Sequence, residues 1–565
     1  MKIKNVYKFI LTYLISFTLG VITVPVQAAF YEQIDNQQKM MGQSPLLDNS
    51  LQKSFDYSDL RQLQIKKNKS NFYYLVNLIR QNKLLEAEKE LKRFLKQNPN
   101  ISIFYDVQGL LYQVKNKPVL AQQSYEHALK ITPKDYLAYM GLSKLALDDK
   151  KIMQARDYAI KANLLNEGAL QPYFLLLEIA LQNNNSNEID KILKTALTKL
   201  KNNQLFERRV ITQWGSYYVS RKQPEKFLEL AKKFSKKYPN DYNGSMLLAE
   251  VYSSIGQKKQ AIQILRSLVK RNKQEVKVRI LLAQLLSEKT DTEKEVLGLF
   301  DNALEIKPKD SNLYLLKANY LIKIGKIHAA FKVSQQLNKS NPGSVIRNII
   351  QGNAYRADKK FEQAIAAYEI AYIAQPNNSL LFVLSDLLYK QGNSKKAIQF
   401  LKQVIKKEPE NLPVHYYLAS RYQQSNDFIN AIKYYDAILN KTPDNVIVLN
   451  NIAWLYEQQD LSKALIYAQK AVQKAPDSPD ILDTLGYILL KQKRAIESVE
   501  ILEKALSLSP DTPVIQYHLA LAYKEANDLK KAKNILENLV NSKNNFSELN
   551  EAKKILQEII RAEGR

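Results

Sequence analysis

The chain has 565 residues, more than one hydrophobic core organises, so it reads as several domains or a repeat array. Apolar residues make up 45% and charged residues 25%, as in a folded protein, while only 15 glycines and 18 prolines exclude long flexible linkers and disfavour a turn-rich sheet fold. The absence of cysteine excludes a disulfide framework, a thiolate metal site and a lipobox cysteine, and the formal charge of +27 raises the question of an anionic neighbour.

The N-terminus reads as an export signal. Lys2, Lys4 and Lys8 form a basic region, and an apolar run from Phe9 to Val26 follows. Val26-Gln27-Ala28 places small residues at the two positions a signal peptidase requires, so cleavage is expected between Ala28 and Ala29. The expected location is the periplasm or bacterial cell surface. The alternative is an inner-membrane anchor formed by residues 9–26. Residues 29–67 are polar, contain MMGQSP and IKKNKSN, and read as a flexible lead-in.

From residue 68 the chain repeats itself. In QGNAYRADKKFEQAIAAYEIAYIAQP (351–376), Gly352 is followed by Tyr355, Ala364, Tyr368, Ala371 and Pro376. In QGLLYQVKNKPVLAQQSYEHALKITP (108–133), Gly109, Tyr112, Ala121, Tyr125, Ala128 and Pro133 recur at the same offsets. The step is 34 residues, with single-residue slips around residue 290 and at Asp460. Each unit holds two amphipathic helices. Small residues at unit positions 8 and 20 allow the two helices to approach, and aromatics near positions 11 and 24 fill the space between units. A proline at position 32 ends the second helix. One pair cannot bury its apolar face alone, whereas stacked pairs share a continuous core.

Units are expected to start near residues 68, 102, 136, 170, 208, 242, 276, 311, 345, 378, 412, 446, 479 and 513. The first four (68–203) and the other ten (208–546) are separated by a spacer, NNQLF (202–206), read as a joint. The fourth unit is degenerate, with Leu177 and Ile189 at the small positions. Residues 547–565 read as a capping helix with Ser547 as N-cap and an apolar face of Ala552, Ile555, Leu556 and Ile559.

Charge is uneven along the array. Residues 201–300 carry a net +10, whereas residues 401–550 are neutral. An anionic membrane or polymer is one expected neighbour of the basic middle. Lysine-rich codon usage with solvated helix faces is the other explanation. Nucleic acid is not expected, because the basic runs carry little aromatic interleaving. His127, His328, His415 and His518 lie in four different units, and there is no metal-binding, phosphate-cradling or nucleophile motif. The chain is read as non-enzymatic, with no cofactor.

The 34-residue pattern resembles the tetratricopeptide repeat (TPR). That resemblance implies an all-α, right-handed superhelical solenoid of about fourteen helix-turn-helix units, and binding of protein or peptide segments in a concave groove. In this family unit positions 2, 5, 9, 12 and 13 of the first helix face the groove. Carried onto this sequence, they nominate Phe382, Asp386, Tyr389, Tyr416, Asn450, Trp454, Asp480, Asp483, Tyr487 and Tyr517. The proposed ligand-binding strip is Phe382, Tyr389, Tyr416, Asn450, Trp454, Tyr487 and Tyr517, rigid aromatics beside adaptable polar groups. The family's carboxylate clamp is not matched, since position 5 holds Phe382, Tyr416 and Asn450 rather than lysine.

Residues 449–492 and 515–540 also resemble the last repeats of exported proteins from exopolysaccharide and exosortase (PEP-CTERM) systems. This resemblance implies a scaffold in cell-envelope assembly, first of all in exopolysaccharide biosynthesis or export. Direct glycan binding and a pilus or outer-membrane assembly role are the alternatives.

Overall fold

In a computed structural model, residues 69–563 are described except 183–184, 201–202, 222, 289 and 542–545. The export signal and lead-in expected over residues 1–67 lie outside the described residues. Among the described residues there are 29 α-helices, one short 3-10 turn and no strand. The helices alternate as pairs. First helices begin at residues 69, 102, 136, 170, 204, 242, 276, 311, 346, 378, 412, 446, 479 and 513, so the sequence register and the helices agree closely.

The pairs form because each local signal agrees with the next. In the helix Phe361–Ala374, Ala364, Tyr368 and Ala371 are buried on one face. Opposite them, Gly352 lies so near the Tyr368 ring that a Cβ would stand 2.6 Å from it. The prolines at Pro133, Pro308, Pro342 and Pro376 each sit two residues beyond a second helix, where no further turn of helix is possible. Asp135, Asp241, Asn377 and Asn445 cap first helices by accepting a backbone N–H at their N-termini.

Two expectations are corrected. The last three residues of the spacer are not separate from the array: Asn203 caps a long first helix, Gln204–Ser220, that includes them. The described residues fall into two compact units that meet in sequence at Leu313 and Tyr314. The capping helix runs Leu549–Glu563, so Ser547 lies outside the N-cap position. Its apolar face is as expected, with Ala552 and Ile559 buried and Ile555 and Leu556 packed against the same cluster. The slip near residue 290 is taken up by the 3-10 turn Thr290–Thr292.

In both compact units successive first helices approach one another. Examples are Ser102–Val114 with Tyr136–Asp148 in one, and Pro479–Lys491 with Pro513–Glu525 in the other. Second helices make no comparable approach to each other among the described residues. Layers that close up on one side and open on the other must curve, so the first helices line the inner side of each stack.

Candidate binding face of the C-terminal units

First helices close enough to touch leave little free surface at some of the nominated positions. Position 5 is the clearest case. Phe382 is 1% exposed and stacks on Tyr417 of the next first helix, with ring centroids 4.4 Å apart. Tyr416 is buried edge-on against Tyr435, at 5.6 Å, and its hydroxyl accepts from Asn451 Nδ2 at 3.3 Å. Tyr517 is buried against Phe546, and burial pushes its hydroxyl up to about 12. These three rings are core, not binding strip. The physical reason is the close spacing of the inner row, which puts position 5 at the contact between neighbouring helices.

Position 9 divides. Asp386 is 3% exposed, and its Oδ1 accepts from both the Tyr417 hydroxyl and Arg421 of the following unit. Burial pushes the Asp386 carboxyl up, and Arg421 and Tyr417 hold part of that shift back. The Arg421 guanidinium lies over the rings of Tyr417 and Tyr389, 4.8 and 5.1 Å from their centroids. Tyr389 is half-buried, with its hydroxyl pushed up to about 12 by burial and without a hydrogen-bond partner. Trp454, by contrast, is 45% exposed and touches the Phe428 ring edge-on at 6.3 Å. One helical turn before it, the half-buried Asn450 holds Oδ1 with no hydrogen-bond partner.

Tyr487 sits in a third arrangement. It stacks on His518 at 4.3 Å, with Lys491 over its ring at 5.1 Å. His518 Nδ1 donates to Asp483 Oδ1 at 2.9 Å. Burial disfavours the imidazolium, but the Asp483 carboxylate outweighs it and raises the His518 pKa. Asp480, desolvated and beside the Asp483 charge, is pushed up to about 7. So His518 is an inter-helix residue, joined to Asp483 of the preceding first helix. His415 is another, buried with Nε2 3.1 Å from the Pro409 carbonyl. Among the described residues no group of His, Asp and Glu is placed to hold a metal ion, and no helix is long and apolar enough to cross a membrane.

Sequence reasoning missed a ladder of polar rungs. Lys144 meets Glu178 at 2.9 Å, Asn353 donates to Asn319 at 2.9 Å, and Lys491 meets Glu457 at 3.7 Å. With Asp386–Arg421 and Asp483–His518, each rung joins two first helices at a sequence separation of 34 or 35 residues. Complementary polar pairs at that separation were the available signal. The basic middle is also partly neutralised from within. Lys237–Glu207 and Lys233–Glu229 each meet at 2.6 Å, and Arg266 makes a two-pronged contact with Glu295 at 2.7 and 2.9 Å.

Models described as tetratricopeptide repeat match residues 388–451, 489–556 and 351–411. A model described as ChAPs (Chs5p-Arf1p-binding proteins) matches residues 259–370. The chain carries tetratricopeptide repeats, and its helical pairs are stacked as that repeat requires. It is similar to the TPR repeat-containing protein YpiA of Bacillus subtilis, 23% identical over 41% of this chain and 53% of that protein. It is also similar to the TPR repeat-containing protein PA4667 of Pseudomonas aeruginosa, 26% identical over 27% of each chain. The chain thus spans about half or less of the length of these curated relatives. Among solved structures, the Cut9–Hcn1 hetero-tetramer of the APC/C aligns over 81% of this chain and 96% of that one, at 14% identity and a TM-score of 0.31.

Proposed function

We propose that the chain is a non-enzymatic scaffold that holds a segment of a partner protein against the first helices of its C-terminal units. One observation carries the reading. The helix Val446–Glu457 presents a half-exposed Trp454 ring, and one turn before it Asn450 holds a buried Oδ1 with no partner, while neighbouring inner-face groups are engaged in rungs. The aromatic platform anchors a partner segment, and rotation of the Asn450 side chain on binding turns its amide toward that segment's backbone. Export, and a place in cell-envelope assembly with exopolysaccharide biosynthesis or export as the first pathway, are part of the same proposal. They are supported by the signal-like N-terminus and by the C-terminal resemblance.

The test is crosslinking in cells from a photoreactive residue at position 454. A protein partner captured there, and lost on Asn450→Ala, supports the reading. No adduct, or the same adducts from a photoreactive residue at the exposed Ile373, sinks it. The same exposed indole favours glycan binding as the second reading, since an exposed aromatic face stacks on sugar rings. The chain has two tryptophans, and Trp214 is buried with Nε1 donating to Asp190. In a Trp214→Phe background, quenching of Trp454 fluorescence by oligosaccharide would decide for the glycan.

A further inference from the structure

The second helices carry an exposed feature that the fold does not require. Their second residue faces solvent, and in nine of the fourteen units it is polar, as at Asn187, Lys259 and Glu362. In the first three units it is apolar: Leu85 is 82% exposed, Val119 67% and Met153 72%. The spacing is one repeat each time, so the three side chains form a row along one edge of the stack. Each is preceded two residues earlier by an exposed lysine at the N-cap: Lys83, Lys117 and Lys151.

A lysine there is a poor choice for stability. It offers no acceptor to the first backbone N–H groups, and its charge opposes the positive end of the helix. None of the three makes a side-chain cap hydrogen bond, whereas Asn185, Asp427 and Asp460 cap the second helices of other units. Lys326 and Lys360 are also N-caps that make no side-chain cap hydrogen bond, but the polar His328 and Glu362 follow them in place of an apolar tip. Three consecutive units therefore combine an apolar tip in water with an unfavourable cation at the same edge. The nearby charges include Asp149, which meets Lys151 at 2.6 Å, Glu86, which accepts from Tyr74 at 3.4 Å, the pair Lys115–Glu88 at 2.5 Å, and the exposed Lys150.

We infer that this edge is a membrane-contact surface for anionic lipid. Apolar tips flanked by lysines enter the interfacial region while the cations meet phosphate, and a lysine near such a surface contributes about 1 kcal/mol. Charge complementarity selects an anionic partner. The apolar tips, spaced by a repeat rather than gathered in a pocket, select a continuous surface over a protein cleft. These units are also the ones that follow the apolar run Phe9–Val26 in the chain, outside the described residues.

The test is co-sedimentation with vesicles of phosphatidylcholine containing one-quarter phosphatidylglycerol, using both the full chain and a chain starting at Ala29. The second form removes any contribution of the Phe9–Val26 run. Both should bind, and pure phosphatidylcholine should bind far less. Lys83→Gln, Lys117→Gln and Lys151→Gln together should weaken binding roughly a hundredfold, at about fivefold per lysine. Leu85→Ser, Val119→Ser and Met153→Ser together should weaken it at least tenfold, while Ile429→Ser, next to an aspartate cap, should leave it unchanged. All substitutions are at exposed positions, and helicity should be retained. Absent binding by the Ala29 form, equal binding by the triple variants, or capture of soluble polyglutamate in place of vesicles would overturn the inference.

Discussion

Gly141→Ala tests the packing logic of the repeat most sharply. A Cβ at this position would stand 2.2 Å from Tyr125 Cζ, whereas carbon atoms in contact sit about 3.5–4.0 Å apart, so the ring must move by more than about 1 Å. Tyr125 has little room to do so. It is 2% exposed, a Cβ on Gly109 would also come within 2.6 Å of it, and its hydroxyl donates to Gln113 at 2.6 Å. Overpacking of this kind costs about 1–3 kcal/mol, and the better helix propensity of alanine offsets up to about 1 kcal/mol. A net loss of about 1–2 kcal/mol is expected. With Tyr125→Ala already in place the obstacle is gone, and Gly141→Ala should then stabilise by up to about 1 kcal/mol. The change of sign is the prediction. A repeat array need not unfold all at once, so hydrogen exchange should be read locally, on the helices Pro118–Ile131 and Tyr136–Asp148. A loss of protection in both backgrounds, or in neither, would refute the argument that ring and glycine face each other.

Trp454→Ala should cost about 1 kcal/mol or less in a thermal melt, because the indole is already half in water and loses mainly its edge contact with Phe428. A loss of 3 kcal/mol or more would make it core. Arg421→Met alone should cost about 3–5 kcal/mol by stranding the buried Asp386 carboxylate, and adding Asp386→Leu should restore much of that loss, as denaturant titration would record. The C-terminal units should be more stable in mild acid. His518 has its pKa raised above the ordinary 6.5 and Asp480 is raised to about 7, so both favour the protonated folded form. The contribution of Asp480 is complete below about pH 4 and is lost as pH rises through about 7. That of His518 is complete below 6.5 and is lost through its raised folded value. Hydrogen exchange of residues 479–563 at pH 5 and pH 8 should show the difference, and Asp480→Asn with His518→Asn should abolish it.

The helical register was legible because most units repeat the same few choices. Only a very small residue fits beneath the Tyr125 and Tyr368 rings, and proline closes the second helix wherever it stands at position 32. Recurrence of that pattern in most of the fourteen units outweighs the ambiguity of the degenerate fourth. The candidate site was less legible, since exposure at positions 5 and 9 depends on how closely the neighbouring unit approaches. Phe382 and Asp386 are lost to the inner contact because Tyr417 and Arg421 of the next unit cover them. Trp454 keeps its exposure with an edge contact to Phe428, while Asn451 of the same helix is turned toward Tyr435 at 3.1 Å. Those are properties of pairs separated by a whole repeat, and a single unit's sequence does not contain them.

Within each compact unit a helix touches little beyond its next neighbour but one, as Pro479–Lys491 touches Pro513–Glu525. Among the described residues the close helix–helix contacts are therefore closed within about seventy residues of chain, so loop-closure entropy stays small and the contact order low. Folding can start at any repeat and spread by zipping, and a repeat can complete its packing as soon as its successor emerges. The same economy of reach confines damage. A cut in one turn, or an error in one repeat, would loosen its two neighbours and leave distant repeats folded, so partial proteolysis should yield ladders of fragments stepped by one repeat length.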